Sequence, residues 1–196
     1  MTIKPVIAVV VTVMLVSAAC EGSLDPTAGK KAPDRYAAAP DACEAIPADV
    51  VQAVLGTGAK PEDDAPRMDT DKCKWERDTQ AAANAKAQWI FLSADFNLHE
   101  NDSTSSGEER AKNTFSGMRS GQSLGTCTVA SGDCFYQVSY ATASSRVNPA
   151  QLTVVIRKHN IVASALLTGQ NFHESQKSLV ESDAVRLATA LGARLN

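Results

Sequence analysis

The chain is predicted to fold as an α+β domain, a twisted antiparallel sheet with helices packed mainly on one face. The stretch QWIFLSADFNLHE alternates apolar and polar residues with the period of a strand, and QLTVVIRKHNIVASALLT is typical of a hairpin. The last residues instead repeat apolar side chains with the period of a helix. The predicted domain covers residues 42–196, which is long enough to bury a single hydrophobic core.

The first predicted elements are a short helix and two strands. In IPADVVQAVLG, Pro47 suits the first helical position and Gly56 suits the position after the last turn. Residues 57–71 carry three acidic residues between two prolines and are predicted to form a solvated loop. CKWERDT and QWIFLSADFNLHE follow as the first and second strands.

The second strand is predicted to have one buried face and one half-covered face. Its even positions from Ile90 to Leu98 are apolar, whereas its odd positions begin with Trp89 and Phe91 and then become polar. Strict alternation therefore assigns Trp89 and Phe91 to the same, less covered face.

A second helix is predicted after the polar loop NDSTSSG. Ser106 suits its N-cap, and Glu109 occupies the reciprocal position of a capping box. Ala111, Phe115 and Met118 are expected to face the core.

The second half of the domain is predicted to run strand, strand, strand, helix. Tyr136, Val138 and Tyr140 alternate in the first strand, and the next two strands form a hairpin with His159-Asn160 at its tip, where Asn tolerates a positive φ. A faint similarity of CKW to CFY and of AQW to AQL leaves open a ββα duplication. The apolar face of the last helix consists of Val180, Ala184, Leu187, Ala188 and Leu191.

Residues 1–19 are predicted to be a secretory signal peptide. Lys4 precedes an apolar run from Val6 to Val16, which as a helix would rise about 16 Å, roughly half of a hydrocarbon core. The following letters, SAAC, resemble a bacterial lipobox, in which Cys20 receives a diacylglycerol and becomes the N-terminus. A plain secretory signal is the alternative, because Ser17 stands where the lipobox usually has an aliphatic residue.

Residues 20–41 are predicted to be the lipidated cysteine and a flexible tether, because this stretch has no hydrophobic periodicity. Acylated Cys20 would insert into membrane lipid and hold the domain at the extracytoplasmic face of the cell membrane. The net charge of −3 argues against a nucleic-acid partner or a polybasic membrane contact.

The chain has five cysteines, so lipidation of Cys20 leaves four for disulfides in an oxidising compartment. Three pairings are open. We favour Cys43–Cys73, which ties the segment before the first helix to the first strand, and Cys127–Cys134, which closes a short loop. A zinc site is the weaker alternative, because no Cys-x-x-Cys or His-x-x-x-His spacing is present.

No catalytic, metal or cofactor site is predicted. His99, His159 and His173 match no zinc spacing, and GMRSG places its serine one position late for a nucleophile elbow. A triad of Ser120, His159 and an aspartate can be drawn, but any serine-rich chain permits one.

Aromatic side chains are the remaining candidates for ligand contact. Trp75, Trp89, Phe91 and Tyr136 can line a sugar or peptide groove, although such residues on alternating strands are more often core. Trp89 and Phe91 are the best candidates, because their face of the strand is otherwise polar and an exposed apolar patch marks a contact surface.

The stretch Asp41-x-Cys43, the helix ending in LG, and Cys73-x-Trp75 followed by a strand resemble small secreted envelope lipoproteins of actinobacteria that carry a domain of unknown function. The resemblance covers most of residues 41–195. It implies an envelope location outside the cytoplasm and a Cys43–Cys73 bridge, and it supplies no catalytic residues.

These features predict a lipid-anchored binding or interaction domain that is not an enzyme, with an envelope protein or a small ligand as partner. One alternative is a cell-envelope hydrolase, which would need Ser, His and Asp within hydrogen-bond distance in a polar cleft. The other is an inhibitor or accessory subunit of a membrane complex, which would present a large, flat apolar patch.

Overall fold

The computed structural model describes residues 34–63, 70–77, 87–119, 124–130, 132–140 and 149–196. The predicted signal peptide, Cys20 and the first part of the predicted tether lie outside these ranges. Within them the predicted fold class is confirmed, because four helices pack against an open, seven-stranded antiparallel sheet.

The sheet has the spatial order β1-β2-β3-β7-β6-β5-β4. A 3₁₀ turn, Glu174–Gln176, leads into the last helix. The helices are α1 (Ala42–Ala45), α2 (Ala48–Leu55), α3 (Gly107–Arg119) and α4 (Lys177–Arg194). The strands are β1 (Lys60–Asp63), β2 (Thr70–Glu76), β3 (Gln88–Leu98), β4 (Leu124–Thr126), β5 (Asp133–Tyr140), β6 (Pro149–Lys158) and β7 (Ile161–Gln170).

Three of the four helices cover one face of the sheet. We call it the helix-covered face; Leu92, Leu152 and Leu167 form a cross-strand row on it and pack in one cluster with α1, α2 and α4. Helix α3 packs on the opposite face, where Phe115 meets Phe135 edge-on with ring centroids 5.0 Å apart. A simple ββα duplication does not describe this arrangement, because α3 and α4 lie on opposite faces and an additional strand precedes α4.

The predicted helices agree with the structure except at Met118 and at Pro47, which is the N-cap of α2 rather than its first residue. All five apolar residues predicted for the last helix are buried, and Gly56 ends α2 with a φ of 87°. The Ser106 Oγ accepts a hydrogen bond from the Glu109 backbone N–H at 3.1 Å, which confirms the N-cap part of the capping prediction. The assignment of Met118 to the core is wrong, since its exposed fraction is 43% and the apolar cluster under α3 ends at Phe115.

The predicted loop at residues 57–71 contains an edge strand. Residues of β1 pair with β2, from Lys60 opposite Glu76 to Asp63 opposite Cys73. The letters KPED carry no apolar alternation, so the sequence pattern does not reveal this strand. Charged residues and a proline at a sheet edge discourage pairing with another chain.

Part of the predicted tether is bound to the domain. The Tyr36 backbone N–H donates to the Asn160 Oδ1 at 3.0 Å, the Asn160 Nδ2 donates back to the Tyr36 carbonyl at 3.0 Å, and the Tyr36 hydroxyl donates to the Leu195 carbonyl. The Asp34 carboxylate also accepts a hydrogen bond from the Asn101 backbone N–H at 3.0 Å. The prediction of a free tether up to residue 41 is therefore wrong from residue 34 onward, because partners distant in sequence hold this polar segment.

The hairpin tip uses its two residues differently from the prediction. His159, rather than Asn160, takes the positive φ, at 51°. Asn160 is 1% exposed and turns its amide inward, where its Nδ2 also donates to the His99 carbonyl at 3.2 Å.

We expect Asn160→Ala to lower the free energy of unfolding by about 2–3 kcal/mol, because three partly buried hydrogen bonds lose their partner. Hydrogen exchange at the Tyr36 amide should accelerate at the same time. His159→Asn is the control, since Asn tolerates a positive φ and the hydrogen bonds of the Asn160 side chain stay intact. Unchanged exchange at Tyr36 in the alanine variant would mean that Asn160 does not hold the segment around Tyr36 on the domain.

Candidate ligand-binding cleft

Both predicted disulfides are present. Cys43–Cys73 joins α1 to β2 with a Cα–Cα distance of 5.0 Å, and Cys127–Cys134 joins the residue after β4 to β5 with a distance of 5.3 Å. Disulfides persist in oxidising compartments, so the two bridges indicate an extracytoplasmic domain.

A β-bulge separates the two aromatic residues that the sequence assigns to one face. Trp89 is opposite Gly169, whereas Phe91 is opposite Thr168, so β3 holds one additional residue between them. The bulge turns Trp89 onto the helix-covered face and leaves Phe91 on the opposite face. The prediction of a shared face is wrong because it assumed an unbroken period of two.

Trp89 is a core residue. Its exposed fraction is 3%, its Nε1 donates to the Asp183 Oδ2 at 2.8 Å, and its ring stacks on Phe172 with centroids 4.1 Å apart. Gly169 makes room for this stack, since a Cβ there would lie 2.7 Å from both rings. Trp89 therefore offers no surface to a ligand, and Phe91 is half-buried on the other side of the sheet.

Asp183 is a buried carboxylate held by two donors. Burial raises its pKa above the ordinary value of 3.8, while the Trp89 indole N–H and the Arg186 guanidinium, at 3.0 Å, oppose this rise. Trp89 lies on β3 and Asp183 on α4, so the hydrogen bond between their side chains joins the helix to the strand.

The histidines do not form a metal site. His99 and His159 both lie at the hairpin end of the sheet, where the backbone N–H of His99 donates to the Asn160 carbonyl, and His173 lies beyond the other end of β7. No group of three or more His, Cys, Asp or Glu side chains within the described ranges could hold a metal ion. Ser120 lies outside those ranges.

A cleft of about 410 Å³ opens between β5 and the start of α4. Alternation along β5 brings its aromatic and apolar wall residues to the helix-covered face, and the 3₁₀ turn and first turns of α4 supply charged residues opposite them. The cleft is lined by Gly125, Tyr136, Val138, Tyr140, Glu174, Lys177 and Glu181.

Tyr136 forms the inner wall of the cleft. Its hydroxyl donates to the Glu181 Oε1 at 3.2 Å, and the Lys177 Nζ lies 3.9 Å from the same oxygen. Gly125 lies opposite Tyr136 on β4, and a Cβ there would fall 1.9 Å from the Tyr136 Cζ, so the ring lies directly over the glycine. Burial, followed by the charge of Glu181, raises the pKa of Tyr136, so this phenol is neutral at physiological pH.

Tyr140 and Glu174 leave hydrogen-bonding capacity unused. The Tyr140 hydroxyl oxygen is buried and has no hydrogen-bond partner among the described residues. Burial, followed by the charges of Glu174 and Glu181, raises the pKa of Tyr140. Within the described part of the chain the Glu174 carboxylate forms neither a side-chain hydrogen bond nor an ion pair, so the cleft contains a free acceptor beside a free hydroxyl.

A second pocket, of about 360 Å³, lies at the end of α2 beside Trp75 and the Cys43–Cys73 bridge. Its lining includes no charged residue. Ligand sites usually combine apolar walls with a few convergent polar groups, and the Tyr136–Tyr140 cleft meets both conditions. We therefore take this cleft as the candidate site.

Comparisons with protein-family models, with curated proteins and with solved structures find no match to this chain. Among the described residues, no helix combines the length and the apolar character needed to cross a bilayer.

The sequence indicates only part of this site. Tyr136 was among the aromatic candidates, and its alternation with Tyr140 places both residues on one face. The sequence analysis missed Glu174, Lys177 and Glu181, because the residues at the start of a helix do not indicate the strand on which that helix packs.

Proposed function

We propose that this chain is an envelope lipoprotein anchored through acylated Cys20 and that its domain binds a ligand without catalysing a reaction. The observation that carries the binding role is the cleft of Tyr136 and Tyr140, where aromatic walls lie beside the exposed Glu174 carboxylate and the Tyr140 hydroxyl, neither of which has a side-chain partner among the described residues. The two disulfides support a location outside the cytoplasm.

The anchor is supported by the N-terminal letters LVSAAC, in which small residues lead directly to Cys20. A diacylglycerol supplies two acyl chains, and each buried methylene contributes about 0.8 kcal/mol to membrane affinity. The weakly acidic domain has no basic surplus to bind anionic lipid, so the lipid would carry the attachment. Kinship with actinobacterial envelope lipoproteins is part of the same proposal.

We expect Cys20→Ala to abolish lipid attachment. In a bacterium with a lipoprotein-processing pathway, the wild-type chain should incorporate labelled palmitate and stay in the membrane fraction after a high-salt wash. The variant should incorporate no label and should be either released or unprocessed. Ser23→Ala, a small change just after the cysteine, is the control and should behave as wild type. Equal palmitate incorporation by the Cys20 variant would refute the anchor.

A further inference from the structure

We propose that the cleft between Tyr136 and Tyr140 binds a primary amine carried on an unbranched aliphatic chain. This inference rests on the proposed binding function and names the ligand class of the same site. It follows from the charge balance of the cleft, its unused hydrogen-bonding groups and the shape of its walls.

The charge balance of the cleft is negative. Lys177 lies 3.9 Å from Glu181, so these two charges offset each other and the charge of Glu174 is left uncompensated. The Lys177 side chain is 69% exposed, so it can turn toward solvent without breaking a buried contact. A positively charged ligand would therefore be attracted to the site.

The unused polar groups match an ammonium group. An ammonium has three N–H donors and no acceptor. The Glu174 carboxylate and the buried Tyr140 oxygen both have free lone pairs among the described residues, and each can accept one of these donors. The Tyr136 hydroxyl already donates to Glu181, so its oxygen can accept as well.

The walls of the cleft suit the rest of such a molecule. Val138 lies between the two tyrosines along β5 and provides an apolar wall for a chain of methylenes. The faces of Tyr136 and Tyr140 are negative in their quadrupole and attract a desolvated cation. A guanidinium has five N–H donors in a fixed plane, and the acceptors of the cleft are only the Glu174 carboxylate and the two tyrosine hydroxyl oxygens. The compact ammonium, with three donors, therefore fits better.

The chain contains three tyrosines, which makes a direct test simple. In protein with isotope-labelled tyrosine rings, Tyr136 and Tyr140 report on the cleft, and Tyr36, at the other end of α4, is an internal control. The full-length chain in uncharged detergent micelles would be titrated with cadaverine, an unbranched diamine, and with the diol of equal chain length. We expect saturable shifts of Tyr136 and Tyr140 with the diamine, no shift of Tyr36, and an affinity for the diol at least about tenfold weaker.

Charge variants at the cleft should change the diamine affinity in opposite directions. Glu174→Gln keeps the shape and removes the uncompensated charge, so the affinity should fall about fivefold. Lys177→Gln removes the competing cation, so the affinity should rise about two- to fivefold. Tyr140→Phe, which deletes only the hydroxyl, should weaken binding about fivefold. Glu109→Gln, an exposed carboxylate on α3 on the opposite face of the sheet, should leave the affinity unchanged.

The outcomes separate this inference from the proposed function. Equal affinities for diamine and diol, with shifts confined to Tyr136 and Tyr140, would overturn the amine class and leave a binding cleft. Equal shifts of all three tyrosines, or no shift with the diamine, would overturn the amine inference as well. If the diamine binds, a parallel titration with N-acetyl-lysine amide distinguishes a free amine from a lysine side chain, because the tighter ligand identifies the source.

Discussion

Replacing Trp89 with alanine is expected to lower the free energy of unfolding by about 4 kcal/mol. The substitution empties the space between Phe172 and β3 and removes the indole donor from the buried Asp183. Phe91→Ala is the matched control, because Phe91 lies on the opposite face and is only half-buried. Its effect should be less than half as large. Denaturant unfolding of both variants measures the difference, and equal losses would contradict the bulge between the two residues.

Trp89→Phe separates the ring from its hydrogen bond. Phenylalanine keeps an aromatic stack on Phe172 but removes the indole N–H. Arg186 then remains as the group that lowers the pKa of Asp183 against the effect of burial. Because the folded-state pKa of Asp183 is raised above 3.8, the folded state holds this proton more tightly than the unfolded state does. Stability therefore falls as the pH rises from that value through the folded-state pKa. In the variant the folded-state pKa should be higher still, so the decline in stability should be larger and extend to higher pH.

The largest disulfide effect is expected at Cys43–Cys73. This bridge spans 30 residues and Cys127–Cys134 spans 7, and the loop-entropy relation gives about 3.7 and about 2.5 kcal/mol for their contributions. The double alanine variant of the first pair should therefore unfold at a lower denaturant concentration than that of the second pair. Reduction of the wild-type chain should bring its stability to that of a variant lacking all four cysteines.

A reversed order of the two double variants would contradict the loop-length argument. It would mean that local packing around the short bridge, rather than the unfolded chain, dominates its contribution. Non-reducing mass mapping of the wild-type chain is the necessary companion measurement, because it establishes that the four thiols are paired as Cys43–Cys73 and Cys127–Cys134 before any stability is compared.

The elements predicted correctly are those in which local pattern and tertiary packing agree. The spacing of Val180, Ala184 and Leu187 identifies the buried side of α4, since helical periodicity alone selects it. The hairpin of β6 and β7 follows from its length and its two-residue tip. The cysteine pairs were predictable because Cys127 and Cys134 enclose a short loop. Cys43 and Cys73 then remain, one before the first predicted helix and one at the first predicted strand.

The errors arise where one residue or one distant contact overrides the local pattern. A single inserted residue in β3 moves Trp89 to the face opposite that of Phe91, and no feature of the alternating letters marks it. Residues 34–41 have the composition of a linker, yet Asn160 and Leu195, far away in sequence, bind Tyr36. The cleft escaped prediction for the same reason, because Glu174 and Glu181 approach Tyr140 only through the packing of α4 on the sheet.

The hydrogen bonds between Tyr36 and Asn160 also fix where the chain enters the folded domain. Tyr36 is bound next to Leu195 at the end of α4, whereas Glu174 and Lys177 stand at its beginning, and 18 helical residues separate the two by about 27 Å. The chain therefore enters the domain at one end of α4, and the cleft lies at the other end of this helix. A molecule in the proposed amine site would thus lie far from the segment by which the chain enters the domain.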